Sequence, residues 1–130
     1  MTLKYFDNDP SLNSRALQIW QILISKAHNR QTITYEVLAD MLGYKRAGIL
    51  GDRLRPVWAF CKYHDLPPLT VLVVGKDSGK PGEGLEEYKD IDGSFDQTRE
   101  EVFKYNWFGL YPPSESDFAK ARKEITQGNE

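Results

Sequence analysis

Basic side chains are concentrated in one stretch near the middle of the chain. They are Lys45, Arg46, Arg53, Arg55 and Lys62. Cations at such positions pair with nucleic-acid phosphates, and an arginine at the start of a recognition helix reaches a base edge. The chain has 17 Lys and Arg against 19 Asp and Glu, so attraction to DNA must come from a local patch. We predict that the first four residues of this set contact DNA; the alternative is a solvated helix face.

A glycine-rich segment later in the chain carries two further cations. The segment Gly75 to Gly84 contains Lys76 and Lys80, and its glycines and proline predict a turn or loop. In a helix-turn-helix protein, a loop after a strand occupies the place of a wing. Both lysines are therefore predicted to add DNA contacts. The glycines lack the Walker spacing of a phosphate-binding loop, and no nucleotide cofactor is expected.

Cys61 and His64 have the residue types of nucleophilic catalysis and lie one helical turn apart. The neighbours of Cys61 on a predicted helix favour a buried, inert thiol over a nucleophile. His28 and His64 have no cysteine or carboxylate partner at metal-ligand spacing, and Asp90 to Gly93 matches only part of a calcium loop. We expect a protein that is not an enzyme and has no metal and no cofactor.

The spacing of apolar residues predicts two helices ahead of the basic stretch. From Leu12 to Ala27 apolar residues recur every three or four positions, which indicates an amphipathic helix. Thr34 is suited to cap a second helix from Tyr35 to Leu42, and Gly43 to end it. The inward residues of the second helix are predicted to be Val37, Leu38, Met41 and Leu42.

The basic stretch is predicted to lie on the helix that follows the glycine turn. This third helix is expected from about Lys45 to Leu54, and two short helices around a glycine turn predict a helix-turn-helix. Because proline has no backbone N–H, Pro56 predicts a break at Arg55 and a fourth helix from Pro56 to about His64.

The second half of the chain is predicted to contain one strand and two more helices. The β-branched run Leu69 to Val74 indicates a buried strand. A helix is expected from residue 96 or 98 through Trp107, and a capping box at Ser114 opens a last helix to Ile125. Residues 126–130 are predicted to be disordered.

These elements predict a mainly helical α+β fold. We expect a winged helix-turn-helix-like domain with a short β element and extra C-terminal helices. A chain of 130 residues fits one domain over residues 1–130, with a helix-turn-helix core at about 34–55, strand and loop at 69–84 and a helical segment at 96–125. The single cysteine and the lack of a long apolar run predict a cytoplasmic protein without a membrane contact.

Two motifs in the helix-turn-helix segment follow a recognisable order, namely Thr34-Tyr35-Glu36-Val37-Leu38-Ala39 and Met41-Leu42-Gly43, followed by Ala47, Leu50-Gly51 and Leu54. This pattern, over about residues 34–84, resembles the DNA-binding domain of alkylguanine-DNA alkyltransferases and alkyltransferase-like proteins. In that family a tyrosine four residues before an alanine helps rotate the damaged nucleotide out of the duplex. The resemblance implies a phosphate contact for Tyr35.

The sequence departs from that family at two functional positions. Gly48 stands where the family has an arginine that fills the gap left by the flipped base, although Arg46 is near. Pro68 to Val71 aligns with the proline-cysteine-histidine-arginine motif and has no acceptor cysteine. Alkyl transfer is therefore not expected, and the resemblance implies the fold and a DNA-facing helix. Alkyltransferase-like proteins also lack the acceptor cysteine and bind lesions without repairing them.

We predict a non-catalytic DNA-binding protein, regulatory or associated with DNA repair. The alternative is a protein-protein interaction adaptor that reuses the fold. Its partner would bind the C-terminal aromatic segment, which otherwise closes the core and consists of Tyr105, Trp107, Phe108, Leu110 and Tyr111. The two hypotheses differ in whether the face from Arg46 to Arg55 is exposed and positive or packed under the C-terminal segment.

Overall fold

A computed structural model describes residues 2–8, 11–79 and 95–128 of the chain. These residues form a mainly helical structure with a small two-stranded sheet, which confirms the predicted dominance of helix. The elements are α1 (Leu12–His28), β1 (Ile33–Thr34), α2 (Tyr35–Leu42), α3 (Leu50–Tyr63), β2 (Val73–Val74), α4 (Phe95–Lys104) and α5 (Glu115–Gly128). Short 3-10 turns lie at Phe6–Asn8, Ala47–Ile49, Leu69–Leu72 and Trp107–Gly109.

Trp20 on α1 lies where the main helices meet. Its ring makes edge-to-face contacts with Phe60 of α3 at 5.3 Å, Trp107 at 5.6 Å and Phe118 of α5 at 6.1 Å between ring centroids. Such arrangements place the positive edge of one ring against the negative face of another. The buried stripe of α1, predicted from its spacing, therefore packs against α3, α5 and the turn after α4.

The predicted ends of α2 are confirmed by its hydrogen bonds. The Thr34 hydroxyl oxygen accepts from the Val37 amide at 3.2 Å, which caps the first turn. Gly43 has φ of 80° and ends the helix in the left-handed region, where glycine has no side-chain clash. The helix that precedes the basic stretch is thus fixed at both ends by local interactions.

The predicted inward face of α2 is only partly correct. Leu38 and Leu42 are buried, whereas Val37 and Met41 are 51% and 50% exposed. Successive residues of an α-helix are rotated by about 100°. A short helix that packs on one side therefore buries Leu38, Ala39 and Leu42 and leaves the row of Val37 and Met41 in solvent.

The first three helices end with the same backbone motif. In each, an amide beyond the helix donates to a carbonyl five residues earlier, namely Gln31 to Lys26, Tyr44 to Ala39 and Leu66 to Cys61. This motif requires a left-handed residue just before that amide. Gly43 fills that position after α2, but Arg30 (φ 56°) and Asp65 (φ 57°) fill it after α1 and α3. Arg30 is anchored there by an ion pair with Glu100 of α4 at 2.5 Å.

The predicted break at Arg55 is wrong, because α3 runs through Pro56 without interruption. Proline removes one N–H bond, to the carbonyl four residues earlier. Burial on both sides of Pro56 offsets that loss, since Leu54, Val57 and Phe60 are buried and α3 packs on α1 and α5. The predicted third and fourth helices are therefore one helix, preceded by the 3-10 turn at Ala47–Ile49.

The predicted strand at residues 69–74 is mostly a helical turn. Residues Leu69–Leu72 form a 3-10 turn, and only Val73–Val74 form β2. All six residues are buried, as expected. The turn lies among α1, α3 and α4, so a helical turn buries side chains in several directions where a strand would offer only two faces.

The two strands form a parallel pair, with Ile33 opposite Val73 and Thr34 opposite Val74. A wing is an antiparallel hairpin, and no such hairpin occurs among the described residues. Lys76 lies in a turn just after β2. Lys80, the rest of the predicted loop to Gly84 and the segment from Asp90 to Gly93 lie outside the described residues.

The C-terminal helices differ from prediction at their ends. The predicted helix through Trp107 ends at Lys104, and Trp107 turns into the core, where its indole N–H donates to the Val102 carbonyl at 2.7 Å. At the start of α5 the Ser114 hydroxyl accepts from the Asp117 amide and the Ser114 amide donates to the Asp117 carboxylate, which confirms the capping box. The helix continues to Gly128, so the prediction of disorder is wrong for residues 126–128.

Candidate nucleic-acid interface

Lys45 and Arg46 lie in the turn between α2 and α3, and both side chains are exposed. Arg46 has an extended backbone (φ -134°, ψ 136°) and immediately precedes the 3-10 turn, which its side chain does not cap. Within the described part of the chain, neither side chain has an ion-pair or hydrogen-bond partner. Both cations are therefore available to a phosphate in solution.

Arg55 is exposed and lies in the second turn of α3, where a break in the helix was predicted. Its Nε lies 3.9 Å from a carboxylate oxygen of Asp52, which is itself 84% exposed. An ion pair between exposed side chains contributes at most about 1 kcal/mol, so it does not prevent a phosphate contact. Farther along the helix, the ammonium group of Lys62 makes a cation–π contact, with its Nζ 5.1 Å from the centre of the Trp58 ring.

Arg53 differs from the other predicted contacts because it is half-buried. Its guanidinium carbon lies 5.8 Å from the ring centre of Tyr44, and its Nε is buried. Arg15 of α1 contacts the same ring, with its guanidinium carbon 5.1 Å from the ring centre. Arg53 thus belongs to the junction of α1, the turn and α3 rather than to the exposed row.

Tyr35 and Lys76 lie at the opposite end of α2 from Lys45 and Arg46. Tyr35 is the first residue of α2 and packs half-buried against the core, while the pairing of Thr34 with Val74 brings the turn that contains Lys76 to this end. An eight-residue helix is about 12 Å long. The structure therefore separates the predicted site residues into two groups.

The surface between these groups is not basic. The exposed side chains of α2 include the acids Glu36 and Asp40 and the apolar residues Val37 and Met41. Acids repel phosphates at short range. A continuous phosphate-binding stripe along α2 is therefore disfavoured, and the group at Lys45, Arg46 and Arg55 is the stronger candidate.

The basic face is not packed beneath the C-terminal helix. The α3–α5 contact uses the opposite, apolar side of α3, for example Phe60 against Phe118 at 5.4 Å between ring centroids. Lys45, Arg46 and Arg55 remain exposed. Three of the predicted contact residues thus have the exposure that the DNA-binding hypothesis requires, whereas Arg53 and Tyr35 are half-buried.

Some residues of the C-terminal aromatic segment close the core, and others are exposed where a partner could bind. Trp107 is buried in the core, and Tyr105 lies half-buried beside it, with 4.6 Å between ring centroids. In contrast, Phe108 is 59% exposed and Tyr111 is 96% exposed. The segment therefore closes the core with one side and presents two aromatic rings to solvent with the other.

The prediction that the Cys61 thiol is buried is confirmed. Cys61 is 1% exposed, and burial raises its pKa to about 12, although a backbone hydrogen bond at Leu69 opposes this shift. His64 is the C-cap residue of α3 and is exposed, and its ring contacts that of Phe60 in a tilted arrangement with 4.5 Å between ring centroids. A thiol with this pKa stays protonated at neutral pH and is a poor nucleophile.

Arg15 and Tyr44 belong to the site region but were not predicted from the sequence. Arg15 is charged, yet it is 7% exposed and lies on the buried side of α1. A signal existed in its spacing, because Arg15 is three residues after Leu12 and four before Ile19 and so lies beside the apolar stripe.

No described helix is long and apolar enough to cross a membrane. The described residues also contain no group of three histidine, cysteine or acidic side chains that is arranged to hold a metal ion. Comparison of the chain with protein-family models, curated proteins and solved structures finds no match to any of them.

Proposed function

We propose that this chain is a non-catalytic DNA-binding protein, regulatory or associated with DNA repair, that contacts the phosphate backbone through the turn after α2 and the start of α3. The observation that carries the proposal is the exposure of Lys45, Arg46 and Arg55 on one short stretch. From Tyr44 to Arg55 the sequence contains four cations and one acid. A local excess of positive charge attracts DNA even when the net charge of the chain is -2.

The order of elements supports a helix-turn-helix role for this stretch. Helix α2, the left-handed Gly43, the 3-10 turn and α3 follow one another. Lys45 and Arg46 lie before the 3-10 turn, and Arg55 lies in the second turn of α3. In helix-turn-helix proteins these positions contact bases and phosphates. We further propose that the segment after β2, with Lys76 and Lys80, supplies a wing-like contact.

A salt-dependent binding measurement tests the main proposal. Neutralisation of three phosphates by Lys45, Arg46 and Arg55 predicts a slope of log K against log salt of about -2.7. The double variant Lys45→Ala/Arg46→Ala removes two of these charges and should reduce the slope to about -0.9. Fluorescence anisotropy with a labelled duplex and a labelled single strand measures both values.

A matched control removes two exposed lysines elsewhere. Lys120→Ala/Lys123→Ala changes the net charge by the same amount on α5, on side chains that are also exposed. It should leave the slope unchanged. Equal losses in the two double variants would show a general charge effect, and no binding of either DNA at low salt would refute the proposal.

Tyr35 is a second, separable element of the proposal. The resemblance to alkyltransferase-like proteins implies a phosphate contact for it, and the pairing of Thr34 with Val74 brings the turn that contains Lys76 to the same end of α2. Tyr35→Phe keeps the ring that packs on the core and removes the hydroxyl. If Tyr35 contacts phosphate, this variant weakens DNA binding and adds to the loss from Lys45→Ala/Arg46→Ala.

The exposed rings of Phe108 and Tyr111 favour a second candidate function, that of a protein-interaction adaptor. Exposed aromatic groups are common anchors of interfaces because they bury a large apolar area. A photo-crosslinking residue introduced at position 111 should capture a partner, whereas the same residue at position 123 on α5 should not. Equal crosslinking at both positions would contradict this function.

A further inference from the structure

Two arginines contact the ring of Tyr44 where α1, the turn after α2 and α3 meet. The guanidinium carbon of Arg15 lies 5.1 Å from the ring centre and that of Arg53 lies 5.8 Å from it. Arg15 is 7% exposed, so it brings a positive charge into the protein interior. We refer to these three residues as the Arg15–Tyr44–Arg53 cluster.

The cluster has more hydrogen-bond donors than acceptors. One terminal nitrogen of Arg15 donates to the Leu42 carbonyl at 2.9 Å and to the Gln18 side chain at 2.7 Å. The Nε atoms of Arg15 and Arg53 and the hydroxyl of Tyr44 are buried and have no hydrogen-bond partner among the described residues. A buried donor without an acceptor is unfavourable, because folding removes its hydrogen bonds to water and supplies none in their place. Three such donors in one cluster indicate a place where an oxyanion is favourable.

One carboxylate from the N-terminal segment is already paired with the cluster. Asp7 places an oxygen 3.5 Å from the second terminal nitrogen of Arg15. The Asp7 side chain is 83% exposed, whereas that of Arg15 is 8% exposed. A side chain at Gly43 would begin only 3.9 Å from the same Asp7 oxygen, so the carboxylate lies against the turn. The buried arginine is thus reached by an acid that remains largely in water.

We propose that the Arg15–Tyr44–Arg53 cluster is a binding site for a phosphate group and that Asp7 is a tethered carboxylate which the phosphate displaces. A phosphate has more acceptor oxygens than a carboxylate, and arginine forks bind it with paired hydrogen bonds. The phosphate belongs either to a free phosphate compound or to a DNA backbone. The second source rests on the proposed function, because Tyr44 is adjacent to Lys45 and Arg46; the first does not.

The test follows the arginine Nε–H signals by nuclear magnetic resonance while inorganic phosphate is added to the full chain at constant ionic strength. The signals of Arg15 and Arg53 should shift together, whereas that of Arg30, which is bound to Glu100, should not. Asp7→Asn removes the competing charge and should tighten phosphate binding about two- to fivefold, the range of an exposed ion pair. Arg53→Gln should weaken it at least about tenfold.

The outcomes separate this inference from the proposed function. Unmoved Arg15 and Arg53 signals, equal shifts at Arg30, or the same affinity in Asp7→Asn would overturn the phosphate site, even if DNA binds through Lys45 and Arg46. Shifts with inorganic phosphate but not with duplex DNA would assign the site to a free phosphate compound. If the signals shift with both inorganic phosphate and duplex DNA, and Asp7→Asn also raises the affinity for DNA, the site binds a phosphate of the DNA backbone.

Discussion

Replacement of Trp107 by phenylalanine should destabilise the protein more than any change to the exposed aromatic rings. Trp107 is 3% exposed and its indole N–H donates to the Val102 carbonyl at 2.7 Å. Val102 lies in the last turn of α4, where carbonyls have no partner within the helix. The side chain of Trp107 therefore both fills the core and completes the hydrogen bonding of α4.

The expected loss has two parts. A buried carbonyl left without its donor costs about 1–3 kcal/mol, and the cavity left by the smaller ring costs about 1 kcal/mol more. Together they predict a loss of about 2–4 kcal/mol in the free energy of unfolding, which lowers the melting temperature by roughly 10 °C. Urea denaturation followed by circular dichroism measures the free energy directly.

The adjacent residue is the matched control. Phe108 is 59% exposed, so Phe108→Leu should change the free energy of unfolding by less than about 0.5 kcal/mol. Amide hydrogen exchange supplies a second measurement, because loss of the Val102 contact should reduce protection in α4 more than in α1. A loss below about 1 kcal/mol for Trp107→Phe, with unchanged exchange in α4, would refute this reasoning.

Four further predictions concern stability and reactivity. With its pKa raised from 9.0 to about 12, Cys61 should react with a thiol reagent at pH 8 about a thousandfold more slowly in the folded than in the unfolded chain. Because the thiol of Cys61 holds its proton more tightly in the folded than in the unfolded chain, the free energy of unfolding should fall as pH rises from about 9 to about 12. Cys61→Ala should lack this fall. Because residue 65 has a left-handed backbone, the melting temperature should be highest for Asp65→Gly, intermediate for the natural Asp65 and lowest for Asp65→Ala, with steps of up to about 1 kcal/mol in stability. A lower melting temperature for Asp65→Gly would contradict the presence of left-handed strain. Hydrogen bonds from the backbone and side chain of Ser114 lower the pKa of Asp117. The contribution of Asp117 to the stability of the folded protein should therefore be lost as pH falls below 3.8, and melting experiments on Asp117→Asn should lack this part of the acid dependence.

Local signals explain what the sequence predicted correctly. Thr34 and Ser114 each cap a helix within three residues of themselves, and Gly43 needs only its own backbone freedom to end α2. Such interactions depend on neighbours in the chain, so they can be inferred from a single sequence. The same holds for the apolar stripe of α1, which needs only the 3.6-residue period.

Tertiary packing explains the elements that the sequence did not predict. Pro56 remains helical because α3 is packed by α1 and α5, and the run after Pro68 forms a helical turn because three helices surround it. In the candidate site, the identity of the cations was visible from the sequence but their exposure was not. Arg53 is drawn into a contact with Tyr44, whereas Arg46 on the same stretch remains in solvent.

The parallel pairing of Ile33 with Val73 has a consequence for the order of folding. Parallel neighbours cannot be joined by a tight hairpin, and here all of α2 and α3 lie between the two strands. Closing so long a loop in an unfolded chain carries an entropy cost that two residue pairs repay poorly. We expect the helices to collapse first and shorten the loop, with the strands pairing last. The N-terminal end of α2, which continues directly from β1, would then reach its final position only in that last step.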